Sequence, residues 1–161
     1  MEAPKGSITP CIWLDGTADE AVAFWCEVFP ESRRLDASEF SESAPGDTGS
    51  TMVVNFELRG TPFMVLNGGP GFPHTPAVSF VVDCADQDDV DYYWDRLLEG
   101  GGIPNQCGWL ADRFGVNWQV VPRRLGELLG DPDPVRADRA MQAMLKMQKI
   151  DIAAMEAAAD A

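Results

Sequence analysis

Side chains able to do chemistry are few and scattered in this sequence. It holds one histidine, His74, and four cysteines, Cys11, Cys26, Cys84 and Cys107. The cysteines lie far apart with no Cys-x-x-Cys, so neither a zinc knuckle nor a dithiol redox pair is written here. Cys11, Cys26 and Cys84 sit among apolar or aromatic neighbours, where cysteine acts as a small hydrophobe. Cys107, in Gln106-Cys-Gly-Trp109, is the one candidate nucleophile or redox sensor, yet no neighbouring Lys, Arg or His in sequence is placed to activate it. Arg113 is a group that folding can bring to it, although Asp112-Arg113 also reads as a simple turn ion pair. Trp13, Trp109 and Trp118 fall on predicted strands. Trp13 and Trp109 are the leading candidates for stacking on a planar or apolar ligand, whereas Trp25 and Trp94 read as core.

These residues need elements to position them. Residues 8–14 read as a buried strand ended by Asp15-Gly16. Thr17 with Glu20 reads as a capping box, opening a helix whose Ala21, Phe24, Trp25, Val28 and Phe29 recur at helical spacing as far as Pro30. Residues 36–50 are polar and rich in Gly, Pro and Ser, so they form a loop or an edge strand. Residues 51–58 and 61–66, separated by Arg59-Gly60, form a hairpin. Residues 67–76 hold too many prolines and glycines for regular structure and serve as a connector. The same order then recurs: a strand over 77–82, a helix over 87–99, a stop at Gly100-Gly101-Gly102, and strands near 106–111 and 116–121.

The recurrence has a register. Shifting Asp19-Glu20 onto Asp88-Asp89, an offset of 69, also places Phe24-Trp25 on Tyr93-Trp94 and Val28-Phe29 on Leu97-Leu98. The same offset lays 8–14 over 77–83, so strand and helix are expected to share one register. The fold class is therefore α+β: paired βαβββ units forming a curved mixed sheet around a cleft, plus C-terminal helices. One domain is expected over 1–130, with repeat one at about 8–66, the connector at 67–76 and repeat two at about 77–122. A helical tail follows over 131–161. In the tail, Met141, Met144, Leu145, Gln148, Ile152 and Met155 fall near one face, which packs on the domain or on a partner subunit. Ligands favour concave, mostly apolar spaces between halves, so the cleft is where function is expected.

Composition narrows the partners. The 161 residues carry 12 Lys+Arg against 26 Asp+Glu, a net charge of −14. With no basic cluster, nothing would displace counterions from a phosphate backbone or an anionic membrane, so nucleic acid and membrane surfaces are excluded. With 45% hydrophobic and 24% charged residues the chain is globular rather than disordered. Residues 1–7 pass into an apolar run too brief for a signal peptide or membrane span, and the unpaired thiols suit a reducing compartment, so a cytoplasmic protein is expected.

Five stretches carry a resemblance: Ile8-Thr-Pro-Cys-Ile-Trp-Leu-Asp15, Leu66-Asn-Gly-Gly-Pro70, Val90-Asp-Tyr-Tyr-Trp94, Leu98-Glu-Gly-Gly101, and the long run from Gln106 through Gly108-Trp109 and Phe114-Gly-Val-Asn-Trp-Gln119 to Pro122. Paired units of this length resemble the vicinal oxygen chelate superfamily of glyoxalases, extradiol dioxygenases and antibiotic-resistance proteins. The stretches resemble its PhnB-like family, often labelled 3-demethylubiquinone-9 3-methyltransferase-like. The likeness runs over nearly the whole chain, tail residues 143–152 included. The methyltransferase label finds no support in the residues: Asn67-Gly68-Gly69-Pro70 follows a strand but leads into prolines, not into the helix that a Gly-rich methyl-donor turn needs.

The resemblance also implies where metal ligands would stand. Metal-using members carry His, Glu or Gln early in the first strand and on the last strand of each unit. Those positions are Pro10 and Met64 in the first unit, with Asn67 as an alternative to Met64, and Ser79 and Gln119 in the second. Proline offers no side-chain donor, methionine a soft thioether and serine a weak neutral oxygen, so no metal and no cofactor are expected. What remains is a small apolar or aromatic ligand held by Trp13, Met64, Asn67, Ser79, Cys107, Trp109, Trp118 and Gln119, with no assignable catalytic residue. The resemblance further implies a homodimer. The competing expectation is a metal-dependent isomerase, lyase or oxygenase that assembles its metal from Gln119, Asn67, His74 or a partner chain.

Overall fold

A computed structural model describes Gly6 and residues 8–161; residues 1–5 and Ser7, on which the leader expectation partly rests, lie outside the described residues. The chain divides into two compact units, Met1–Pro73 and His74–Ala161. Among the described residues no helix is long and apolar enough to cross a membrane.

The first unit runs β1 (Cys11–Leu14), α1 (Ala18–Val28), β2 (Arg33–Glu39), β3 (Thr51–Leu58) and β4 (Thr61–Asn67). Its sheet has the order β1-β4-β3-β2, with β1 parallel to β4 and the other pairs antiparallel. One face of this sheet is apolar because β3 and β4 alternate, Val54, Phe56 and Leu58 beside Phe63 and Val65 pointing to α1. Trp25 of α1 stacks on Phe56 at 5.7 Å between ring centroids, and Phe56 on Phe63 at 5.5 Å. Of residues 36–50, read as loop or edge strand, 36–39 belong to β2, an edge strand that begins at Arg33 and is exposed along its whole length, and 40–50 form the loop beyond it.

The second unit repeats the order: β5 (Phe80–Cys84), α2 (Gln87–Leu98), β6 (Ile103–Pro104), β7 (Trp109–Ala111) and β8 (Asn117–Pro122), in the sheet order β5-β8-β7-β6. Residues 106–108, expected in a strand, form a turn instead, with Cys107 at a φ of 60°. Helix α2 opens on a reciprocal cap: Asp86 accepts from the Asp89 N–H, and Asp89 accepts from the Ala85 N–H. The cap expected on α1 is not of this kind, since Thr17 makes no side-chain cap there.

The shared register needs one correction. Ala21, Phe24, Trp25 and Val28 of α1 and Val90, Tyr93, Trp94 and Leu97 of α2 are buried, an offset of 69. In the strands the buried pairs are Ile12 with Leu14 and Val82 with Cys84, an offset of 70. The turn from strand to helix is one residue shorter in the second unit, and in a strand a slip of one residue exchanges the two faces.

Three helices complete the second unit: α3 (Arg123–Leu129), α4 (Pro134–Met144) and α5 (Ile152–Asp160). The single apolar stripe expected for the tail is absent, because the chain breaks after Met144 and turns back at Asp151, the cap of α5. Met141 and Leu145 are exposed, while Leu125, Leu128, Ala140, Ile150, Met155 and Ala159 form a core of their own, against which Val121 of β8 packs.

Candidate functional site

In the first unit the residues around Trp13 form one arrangement. Its indole N–H donates to the Gly69 carbonyl at 2.7 Å, and its ring meets Phe72 edge-on at 4.9 Å. The indole lies directly over Gly68, where an added Cβ would come within 2.1 Å of it. Gly69 holds a φ of +88°, so both glycines of the Asn-Gly-Gly segment are set by geometry. Asn67 is spent structurally: its Oδ1 accepts from the Ala18 N–H at 3.0 Å, supplying the cap that Thr17 does not, and its Nδ2 donates to the Thr51 carbonyl at 2.9 Å. Both amide atoms thus hold the fold together, and Asn67 also lines the hollow beside Trp13.

Beside Trp13 lies a hollow of about 700 Å³ within the first unit. Trp13, Phe40, Met52 and Leu66 supply its apolar lining, and Asp15, Asp19 and Asp47 stand around it. The Phe40 ring is held against Gly46, where an added Cβ would meet it at 2.6 Å, and the Phe40 backbone pairs with Ser50 and Gly49. Asp19 has partners: the Thr51 hydroxyl first, and then Arg34, hold its carboxyl below the usual value despite partial desolvation. Arg34 approaches it at 2.5 Å. Apart from Trp13 and Asn67, sequence reasoning named none of these residues as a site. The available signal was Phe40, the one large aromatic in an otherwise polar stretch.

In the second unit Gln119 and Ser79 do meet, the Gln119 Nε2 donating to the Ser79 Oγ at 2.9 Å. Both are half-buried. Trp109 pairs with Gln119 across β7 and β8 and shares its face, away from Leu110, Trp118 and Val120, which turn towards α2. Trp118 therefore belongs to the core. It is 3% exposed, and its indole N–H donates to Asp112 at 2.9 Å. Asp112, also 3% exposed, accepts in addition from the Phe114 and Val116 N–H groups, so it fastens the turn between β7 and β8. Cys107 docks the tail: its N–H and that of Gly108 donate to the Met147 and Gln148 carbonyls, and its thiol to the Met144 carbonyl at 3.6 Å. These contacts account for Cys107 without a ligand.

The metal-ligand positions implied by the resemblance test poorly against these contacts. In the first unit Met64 lies next to Pro10, whose carbonyl accepts from the Met64 N–H. That pair offers only a thioether. In the second unit the Gln119 amide nitrogen faces the Ser79 hydroxyl, and neither side chain carries charge. Among the described residues no group of three or more His, Cys, Asp or Glu could hold a metal ion. The donors at these positions do not fit a divalent cation.

Comparison with known proteins places this geometry. The family model described as 3-demethylubiquinone-9 3-methyltransferase matches residues 6–121, which leaves α3 to α5 outside the match, tail residues 143–152 included. A PhnB protein from Bacillus cereus is 29% identical, with a TM-score of 0.65, covering 73% of this chain and 99% of its own. The Pseudomonas aeruginosa protein PA1353 is 18% identical at a TM-score of 0.60, covering 73% and 98%. The fosfomycin resistance protein FosX from Listeria monocytogenes, solved with Mn(II) and sulfate, is 13% identical at 0.51, covering 72% and 88%. Among curated proteins none matches the chain.

Proposed function

Since the chain belongs to the PhnB-like 3-demethylubiquinone-9 3-methyltransferase family of the vicinal oxygen chelate superfamily, we propose that it binds a small apolar or aromatic molecule and does so without a metal held by its own side chains. The observation that carries this reading is the hollow of about 700 Å³ floored by Trp13, Phe40, Met52 and Leu66. Its size falls within the range of small-molecule sites, which are mostly apolar with a few placed polar groups. Met64 is a further proposed contact within the first unit, and Ser79, Trp109 and Gln119 are proposed as a separate binding surface of the second unit. The Ser79 and Gln119 pair offers a hydrogen-bonding edge beside an aromatic face, and no charge. No methyl-donor turn supports the family label, because Gly68-Gly69 leads into a connector without a helix.

Protein stripped with a chelator should gain thermal stability from members of a library of aromatic and apolar metabolites, since a ligand specific to the folded state raises its apparent stability. Leu66→Trp, which fills the hollow, should abolish that gain. Stabilisation by no compound, or only after a divalent metal is restored, would contradict the proposal. The free thiols of all four cysteines support a cytoplasmic location and the family resemblance a homodimer, whose molar mass light scattering on purified protein tests directly.

A further inference from the structure

The hollow of the first unit is not electrically neutral. Of the three aspartates that line it, Asp19 is engaged by Thr51 and Arg34. Asp15 and Asp47 are exposed on the rim, and among the described residues no ion pair engages them. Among the described residues no lysine or arginine lines the hollow. Two aromatic rings, Trp13 and Phe40, contribute to the apolar wall below that rim. Aromatic faces attract cations through the ring quadrupole, and carboxylates attract them directly. The chain as a whole carries −14, which concentrates cations and repels anions at every approach.

We propose that this hollow takes an organic cation, an amine borne on an aromatic or apolar body: the body lies on Trp13, Phe40, Met52 and Leu66, and the ammonium faces Asp15 and Asp47. The inference rests on the reading of the hollow as a small-molecule site and adds the charge of the occupant. An anionic ligand of the same size meets two like charges at the rim. A neutral one leaves both carboxylates to water.

Three probes of nearly equal shape separate the possibilities: 2-phenylethylamine, 2-phenylethanol and 3-phenylpropionate. Calorimetric titration at low salt should show the amine bound about fivefold or more tightly than the alcohol, with the carboxylate weakest. Raising the salt should narrow the gap. In the full-length Asp15→Asn/Asp47→Asn protein, both changes being at exposed positions, the amine should lose its advantage over the alcohol. Equal affinity for amine and alcohol in the unaltered protein would overturn the charge assignment while leaving the binding reading intact. An amine preference that persists in the double variant, or tightest binding of the carboxylate, would overturn it equally. Binding of none of the three would count against both readings.

Discussion

The Asn67 side chain closes two open backbone groups at once, the first-turn N–H of Ala18 and the carbonyl of Thr51. Asn67→Ala leaves both without a partner at a nearly buried position, so a loss of about 2 kcal/mol is expected. It would be read as a lower urea midpoint at unchanged slope. Gly68→Ala is expected to push the Trp13 indole off its seat, at a cost of about 1–3 kcal/mol for overpacking, and to break the bond to Gly69. An unmoved Trp13 indole N–H resonance would contradict that geometry. Burial pushes the Cys84 thiol from 9.0 up to about 12, helped by Asp89 and Asp83. The folded state therefore holds this proton more tightly than the unfolded one. Its contribution is complete below about pH 9 and is lost as pH rises from there towards 12. Urea midpoints at pH 8 and pH 10.5 should fall further for the unaltered protein than for Cys84→Ala.

At the scale of elements, two βαβββ units were legible because helical spacing repeats in the residues of α1 and α2, and that spacing survives as buried faces. The strand register was not legible to the residue. Buried strands are apolar on both faces over short runs, so the sequence does not say which neighbour turns inward. The one-residue difference between the two strand-to-helix turns is visible only from burial. Of the candidate site, Ser79 beside Gln119 was legible from the resemblance. The structural employment of Asn67, Cys107 and Trp118 was not, since Asn67 and Cys107 depend on partners far away in sequence and Trp118 on a side chain that only the turn between β7 and β8 brings to its indole. The tail shows the same limit. Gln87 donates to the Ile150 carbonyl and accepts from the Ile152 N–H, across more than 60 residues, while Lys149 pairs with Asp91 and Asp95. Gln87→Ala should therefore loosen the turn between α4 and α5, with faster amide exchange at Ile152 and little change in the first unit.

At the scale of the whole molecule, the order strand, helix and three strands is kept twice, while the positions at which the resemblance implies metal ligands carry groups that bond to each other or offer nothing hard. What the first unit adds is a hollow with an aromatic wall, bounded by the loop that lies between β2 and β3. Nitrogen-15 spectra of the indole N–H groups of the five tryptophans, recorded in chelator during titration with 2-phenylethylamine and 2-phenylethanol, test this account most directly. The prediction is a saturable shift of the Trp13 signal, with the Trp25 and Trp94 signals of the two helix cores unmoved. No saturable shift at Trp13 with either probe, or one that appears only once a divalent metal is added, would contradict it.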